Sequence, residues 1–263
     1  MGGWPSGLRA ASVLLACLFL SAPSLKAQRG IASPESQIQP LPIDERFMVQ
    51  RREMVDQFVQ SRGVESPRVL SAMLAVPRHL FVPEQVRAEA YSGDALSVDE
   101  QYSVPEPYAV ARMTELLALT GNERILEIGT GTGYHTAVLA QLGSEVHSME
   151  IVADRAEAAR ELLDDLGYEN AVVHVGNGYD GLPDLGPFDA IVLTAAPEEI
   201  PQALIDQLKV GGRMVVPVGG FLQELQVLEK RANGQVRRRR VDVVRMRPMV
   251  DVTDERPRRQ PPI

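Results

Sequence analysis

Only one cysteine stands among the 263 residues, Cys17, and it falls in an apolar run at the extreme N-terminus. The rest of the chain has neither a disulfide nor a thiol nucleophile, and cysteine usage does not report the redox compartment. Positive charge is also scarce, since 27 Lys and Arg against 35 Asp and Glu leave a net charge of -8. That balance argues against a general nucleic-acid binder, which presents excess Lys and Arg to phosphates. The four histidines, His79, His135, His147 and His174, follow no metal-ligand pattern. His79 reads as a packed turn residue and the others as ordinary domain residues. No internal repeat is present, and no apolar run is long enough to span a bilayer comfortably.

What is there suits one domain with tails, because 44% hydrophobic residues are enough to bury a sizeable core. Residues 1–27 resemble an export signal, with Arg9 at the charged start, Ala10 to Ala22 as the apolar core and Leu25-Lys26-Ala27 as a cleavage site. Met48 also begins a stretch that reads as a protein start, so both origins stay open. Residues 28–45 carry Pro34, Pro40 and Pro42 among polar residues, which is linker chemistry. The domain is expected over residues 46–250, and residues 251–263, rich in Pro and Arg, are expected to form a disordered tail.

Apolar residues recur at helical spacing from Phe47 to Val59, and Ser66-Pro67 opens a second helix through Met73 that Pro77 ends. These form an N-terminal helical cap. Tyr108 to Leu119 reads as another amphipathic helix, after which strand and helix patterns alternate. Alternation predicts a mostly parallel, doubly wound sheet with helices on both faces. Strands are expected at Arg124–Ile128, Glu145–Glu150, Ala171–Val175, Phe188–Thr194 and Gly212–Val218, each apolar enough for burial on both faces. Leu225–Lys230 and Val236–Val244, split by Asn233-Gly234, predict a C-terminal antiparallel hairpin. Arg237 to Arg240 lie in its second strand, where charge at an exposed edge discourages further pairing.

The strand ending at Ile128 runs straight into Gly129-Thr130-Gly131-Thr132-Gly133, and Tyr134 onward is helical. Glycines let the backbone pass close beneath a ligand. The dinucleotide fingerprint needs glycine at position 134, where Tyr134 stands, and NAD is therefore disfavoured. G-x-G-x-G with an acidic residue, Glu127, ahead of it is instead the pattern of S-adenosylmethionine methyltransferases, whose ligand has no pyrophosphate to cradle. Glu150 closes the next strand, where an acceptor takes hydrogen bonds from ribose hydroxyls. Asn177 and Gly178 follow the third strand at the ligand-binding edge. Related methyltransferases often hold an acidic residue there for the adenine amino group, and Asn177 offers its amide oxygen. The candidate cofactor residues are thus Glu127, Gly129, Thr130, Gly131, Thr132, Gly133, Glu150, Asn177 and Gly178, on an α/β, Rossmann-like methyltransferase fold.

Four longer stretches are more specific: Val76 to Pro83, Pro107 to Glu115, Leu126 to Tyr134 and Phe188 to Pro197, with Pro217-Val218-Gly219 beside them. On these the chain resembles the protein-L-isoaspartate O-methyltransferases from about Met48 to Val250. The resemblance implies methyl transfer to the carboxylate of L-isoaspartyl residues, with damaged proteins or peptides as substrates; the charge balance and the short apolar run lead us to expect no nucleic acid and no stable membrane insertion, and a monomer is expected. It points to the cytoplasm, as does the cytosolic supply of S-adenosylmethionine, whereas the signal-like start points to the periplasm or secretion. A departure lies before Pro107: the family reads Thr-Ile-Ser, a mostly neutral residue and proline, and this chain has Ser103, Val104, Pro105 and Glu106. Pro105 has no hydroxyl, so Ser103 becomes the candidate catalytic contact. Glu106 would repel a substrate carboxylate by about 3 kcal/mol at about 6 Å and an effective dielectric of about 20. Arg247, in the altered stretch Met246-Arg247-Pro248-Met249, is the candidate to offset it. Two other readings stay open: a methyltransferase of this fold with another substrate, and a weakly catalytic module that recognises altered proteins.

Overall fold

The computed structural model describes Met1, residues 45–99 and residues 102–251. The signal-like segment and nearly all of the linker and tail lie outside the described residues. Helices α1 (Glu45–Phe58) and α2 (Pro67–Ala75) make the cap. Pro67 opens α2 because its fixed φ and missing N–H suit a first helical turn, and Val76, ahead of Pro77, has already turned extended at ψ 121°. Met54, Val55 and Val59 are buried in one cluster with Val69, Ala72 and Met73, each worth roughly 1.5–3 kcal/mol for a large side chain. Two strands of two residues, β1 (Leu96–Ser97) and β2 (Ser103–Val104), pair as a small antiparallel hairpin. The sequence gives such short strands no period to read.

Helix α3 (Pro107–Leu117) starts at the proline and stops two residues short of the expected Leu119, because Ala118 adopts a left-handed conformation at φ 53°. Thereafter come β3 (Arg124–Ile128), α4 (Tyr134–Ala140), β4 (Glu145–Glu150), α5 (Ala153–Asp165), β5 (Ala171–Val175), β6 (Phe188–Leu193), α6 (Gln202–Asp206), β7 (Leu208–Val218), β8 (Gln223–Lys230) and β9 (Val236–Val244). The main sheet has seven strands in the order β5-β4-β3-β6-β7-β8-β9. β5 through β7 are parallel, and β7, β8 and β9 are antiparallel. β7 begins at Leu208 rather than at Gly212, pairing first with Phe188 and then passing an irregularity before Ala190 meets Arg213. Gly211 at φ 84° carries that irregularity.

Successive residues divide between two cores. Ile125 and Val215 belong to the cluster shared with the cap, while Leu126, Ile128, Met214 and Val216 belong to the cluster on the other side. This alternation explains why the parallel strands read as nearly continuous apolar runs. β9 ends the sheet, and Arg237 to Arg240 are all exposed on it. Among the described residues no helix is long and apolar enough to cross a membrane.

Candidate active site

The glycine turn after β3 docks on β4, since the N–H groups of Gly129 and Thr130 both donate to Met149 O, at 2.8 and 3.2 Å. Its three glycines answer to different neighbours. A Cβ on Gly129 would overlap Thr194 Oγ1, whose hydroxyl donates to Gly129 O at 2.6 Å. One on Gly133 would press Leu163 of α5 at 3.4 Å. Around Gly131, at φ 56°, a Cβ would meet nothing within 4 Å. Gly131 is therefore the glycine whose free side faces space rather than protein, while Thr132 beside it is partly exposed.

Beneath the turn lies a buried polar chain. Glu127 is fully buried; its Oε2 accepts from Thr136 at 2.5 Å and Ser148 at 2.6 Å, and Thr130 Oγ1 lies 2.6 Å from Ser148 Oγ. Burial pushes the Glu127 carboxyl up to about 7 despite those two lowering hydrogen bonds. Burial also pushes His135 down to about 3, so its imidazole is neutral and its Nδ1, 3.8 Å from Glu127 Oε1, forms no ion pair. Thr114, whose hydroxyl donates to Val110 O, accepts from His135 Nε2 at 2.9 Å. Glu127 and Thr130 thus brace the turn from below; the sequence reading put both on its ligand side.

Glu150, at the end of β4, is 2% exposed and aims its carboxylate back at the turn. Oε2 accepts from Gly131 N at 2.9 Å, and Oε1 accepts from Ile151 N, Val152 N and the Tyr102 hydroxyl at 3.0, 3.2 and 3.3 Å. Tyr102 was not legible as a site residue. It is placed by the hairpin: its N–H donates to Asp99 Oδ1 at 2.9 Å, and Arg155, paired with Asp99 at 2.7 Å, lies over its ring. Burial and the neighbouring Glu150 raise the Tyr102 hydroxyl above its ordinary range. Ser103, the next residue, is half-buried on β2 opposite Ser97. The hairpin therefore delivers Tyr102 to the carboxylate expected to hold ribose, and Ser103 follows it as the first residue of β2.

Glu106 has a different partner from the one expected. Its carboxylate pairs with Arg62 at 3.2 Å, and that guanidinium lies 3.7 Å from the centre of the Tyr108 ring. Arg62 follows α1 in a short turn that carried no local signal of this role. Pro105, although it lacks a hydroxyl, is fixed: Arg78, wholly buried, donates to Pro105 O and Ala90 O at 2.8 Å each. His79 is packed as expected, stacked on Phe47 with its Nδ1 2.7 Å from the Tyr91 hydroxyl. His147 and His174 meet at 3.0 Å, and no group of His, Cys, Asp and Glu among the described residues suits a metal.

On the loop after β5, Asn177 Oδ1 accepts from Tyr179 N at 3.1 Å and its Nδ2 donates to Asp251 Oδ1 at 3.2 Å. The segment after β9 crosses here. Ala196 N donates to Arg247 O and Met249 N to Ala196 O, both at 2.8 Å. Gly178 lets it lie close, since a Cβ there would come within 2.8 Å of Met249 Cε and 2.5 Å of Ile128 Cγ2. A separate hollow of about 680 Å³ lined by Arg124, Glu145, Asn170, Asp189 and Lys209 opens at the opposite edge of the sheet. Four of its charged groups pair with one another, Arg124 with Glu145 and Lys209 with Asp189. Ligands of doubly wound sheets bind instead at the carboxyl ends of the strands.

An open-faced glycine turn with a carboxylate at the next strand end holds a ribose without gripping a phosphate, and the open side of Gly131 and the Glu150 carboxylate fit S-adenosylmethionine in that way. The protein is in the class of Rossmann-like, S-adenosylmethionine-dependent methyltransferases. A model described as "Protein-L-isoaspartate(D-aspartate) O-methyltransferase (PCMT)" matches residues 49–254, and the chain belongs to that family. It is 49% identical over 182 residues to the protein-L-isoaspartate O-methyltransferase of Syntrophus aciditrophicus (strain SB), covering 69% of this chain and 84% of that one. With the Gloeobacter violaceus protein of the same description it shares 45% over 206 residues, covering 78% and 98%. A solved protein-L-isoaspartate O-methyltransferase superposes with a TM-score of 0.70 at 28% identity, covering 76% of this chain and 66% of its own. A Plasmodium falciparum structure in complex with S-adenosyl-L-homocysteine shares the fold at a TM-score of 0.66 and 22% identity, covering 76% and 98%.

If Glu150 holds the ribose, Glu150→Ala should cost roughly 1.5–3 kcal/mol of cofactor binding, the worth of a charge-assisted hydrogen bond. Affinity measured by calorimetry should fall by about one to two powers of ten. A cofactor analogue lacking both ribose hydroxyls should lose much less. An equal loss for that analogue would show that Glu150 serves only to fix Gly131.

Proposed function

We propose that the chain transfers the methyl group of S-adenosylmethionine to the carboxylate of L-isoaspartyl residues in damaged proteins or peptides, the opening step of their repair. The observation that carries this reading is the match to the isoaspartate methyltransferase family across residues 49–254, which takes in both the glycine turn and the hairpin with Ser103. When bound, S-adenosylmethionine supplies a methyl group on a positively charged sulfur. The acceptor carboxylate, with an ordinary pKa near ~3.9, is already an anion at neutral pH, so no side chain has to remove a proton. What the chain supplies is position and exclusion of water, and alignment alone accounts for roughly 7–11 kcal/mol in well-oriented reactions.

In this reading Gly131 and Glu150 hold the cofactor, and Ser103 orients the acceptor. The Glu106 charge is largely answered by Arg62, and its repulsion falls below the value an isolated carboxylate would give. Pro105 favours a second reading, a different substrate, because its fixed backbone leaves no hydroxyl at that place. Residues 46–250 serve as the methyltransferase domain, and residues 1–27 as a removable export signal. Mass spectrometry of the native N-terminus near Gln28, rather than at Met1 or Met48, tests the latter.

Methylation of paired isoaspartyl and aspartyl peptides tests the activity itself, with turnover expected on the isoaspartyl form alone. Ser103→Ala should lower turnover by about tenfold or more, the worth of one hydrogen bond to a charged acceptor, with cofactor affinity unchanged. Pro105→Ser with Glu106→Gln should raise it, and the lost exposed ion pair should cost at most about 1 kcal/mol of stability. Activity on neither peptide, or on both alike, would remove isoaspartate as the substrate; full activity insensitive to Ser103→Ala would remove only the role of the hydroxyl.

A further inference from the structure

We propose that the Tyr102 hydroxyl holds the place of a ribose hydroxyl on Glu150 and must yield it for the cofactor to bind, so that this side chain sets how tightly S-adenosylmethionine and its product are held. This rests on the cofactor reading above and deepens it by naming the group with which the ribose competes. A carboxylate has about four lone-pair sites, two on each oxygen. Among the described residues, Glu150 Oε2 accepts from Gly131 N alone, at 2.9 Å, whereas Oε1 takes three donors: Ile151 N at 3.0 Å, Val152 N at 3.2 Å and the Tyr102 hydroxyl at 3.3 Å. A ribose brings two hydroxyls. The first finds the remaining site on Oε2, and the second meets an oxygen that is already full.

Of the three donors on Oε1, one can leave. The amides of Ile151 and Val152 belong to the two residues that follow Glu150, and the backbone that carries the carboxylate fixes them. The Tyr102 hydroxyl comes from a separate segment, on a side chain that can turn about its own bonds, and its contact is longer than the roughly 2.5–3.0 Å usual for a hydroxyl donor. It is the weakest of the three to hold. Burial and the neighbouring Glu150 keep the phenol protonated, hence a donor that competes with a ribose hydroxyl like for like. The backbone of Tyr102 stays where it is, because its carbonyl accepts from Val98 N at 2.8 Å and Asp99 N at 3.3 Å, and its N–H donates to Asp99 Oδ1 at 2.9 Å. The exchange is therefore a rotation of one side chain away from Glu150 and from the Arg155 guanidinium that lies over its ring. S-adenosylhomocysteine carries the same ribose as S-adenosylmethionine. The returning hydroxyl thus opposes retention of the product as it opposes entry of the cofactor.

The test is calorimetry of the wild type and Tyr102→Phe with S-adenosylhomocysteine and with its analogue lacking both ribose hydroxyls. Phenylalanine keeps the ring and removes only the competing hydroxyl. The variant should bind S-adenosylhomocysteine about three- to tenfold more tightly than the wild type, the worth of one hydrogen bond that the free protein no longer has to break. The analogue, which leaves Oε1 to its own donors, should bind both proteins alike. In steady-state kinetics S-adenosylhomocysteine should inhibit the variant at concentrations lower by the same factor. Weaker or unchanged binding of S-adenosylhomocysteine by Tyr102→Phe overturns the proposal, because Tyr102 would then be a ligand contact or a bystander. Equal tightening for both ligands overturns it too, since the ring would be obstructing the body of the ligand and not a hydroxyl. A wild type that binds the two ligands with equal affinity would instead overturn the ribose role of Glu150 on which the proposal rests.

Discussion

Gly131→Val abolishes binding of S-adenosylhomocysteine while leaving a folded protein: that is the expected result, with affinity reduced by a hundredfold or more on the order set by loss of the ligand's own space. The reason lies in the contrast among the three glycines. At Gly131 a Cβ meets no protein atom within 4 Å, so the cost to the free protein is confined to a left-handed backbone. That cost is roughly 1–2 kcal/mol, which lowers the melting temperature by roughly 2–8 °C in a domain of this size. Gly129→Val should behave oppositely, because its side chain would collide with Thr194 and disturb the sheet itself. The two variants, compared by calorimetry and thermal melting, separate a ligand-facing glycine from a packing one. Wild-type affinity in Gly131→Val would leave the site assignment without its main support.

Arg78→Met should be the most damaging change away from the ligand. The guanidinium is wholly buried, lies over the Tyr134 ring, and ties together Ala90 O and Pro105 O, which are 12 and 27 residues away along the chain. Methionine fills much of the volume but leaves both carbonyls without a donor, at roughly 1–3 kcal/mol for each buried group. Relief from burying a cation, whose desolvation already pulls the Arg78 pKa down, offsets part of this. The net loss should be roughly 2–4 kcal/mol, a fall in melting temperature on the order of 10 °C. Proteolysis of the intact protein should also show faster cutting near the hairpin, whose exit at Pro105 is no longer held. A variant that melts with the wild type would mean that water or a shifted neighbour satisfies both carbonyls.

Parallel strands β3 and β5 were legible because each is a mostly apolar run closed by a glycine, and β4 and the antiparallel β9 also begin and end where they were expected. The glycine turn was legible because strand, turn and helix follow without a gap. What escaped were contacts made across the chain. Tyr102 and Glu150 are 48 residues apart, Arg62 and Glu106 are 44, and Asn177 and Asp251 are 74. No local period or spacing encodes such pairs, because each depends on where the sheet and hairpin bring two segments together. Glu127 shows the converse. Its place in the motif suggested a cofactor contact, yet alternation along β3 turns its side chain toward α4 and into the bracing network beneath the turn.

The stitching of Arg247 and Met249 to Ala196 bears on how the molecule is made. A chain leaves the ribosome from its N-terminus, and elements form in the order in which they emerge. Cap, glycine turn and every strand of the parallel sheet precede residue 219, whereas the tie across the ligand edge waits for residues 247–251. A nascent chain that has completed its parallel sheet still has an unfinished edge, which is closed only once synthesis of the domain is nearly over.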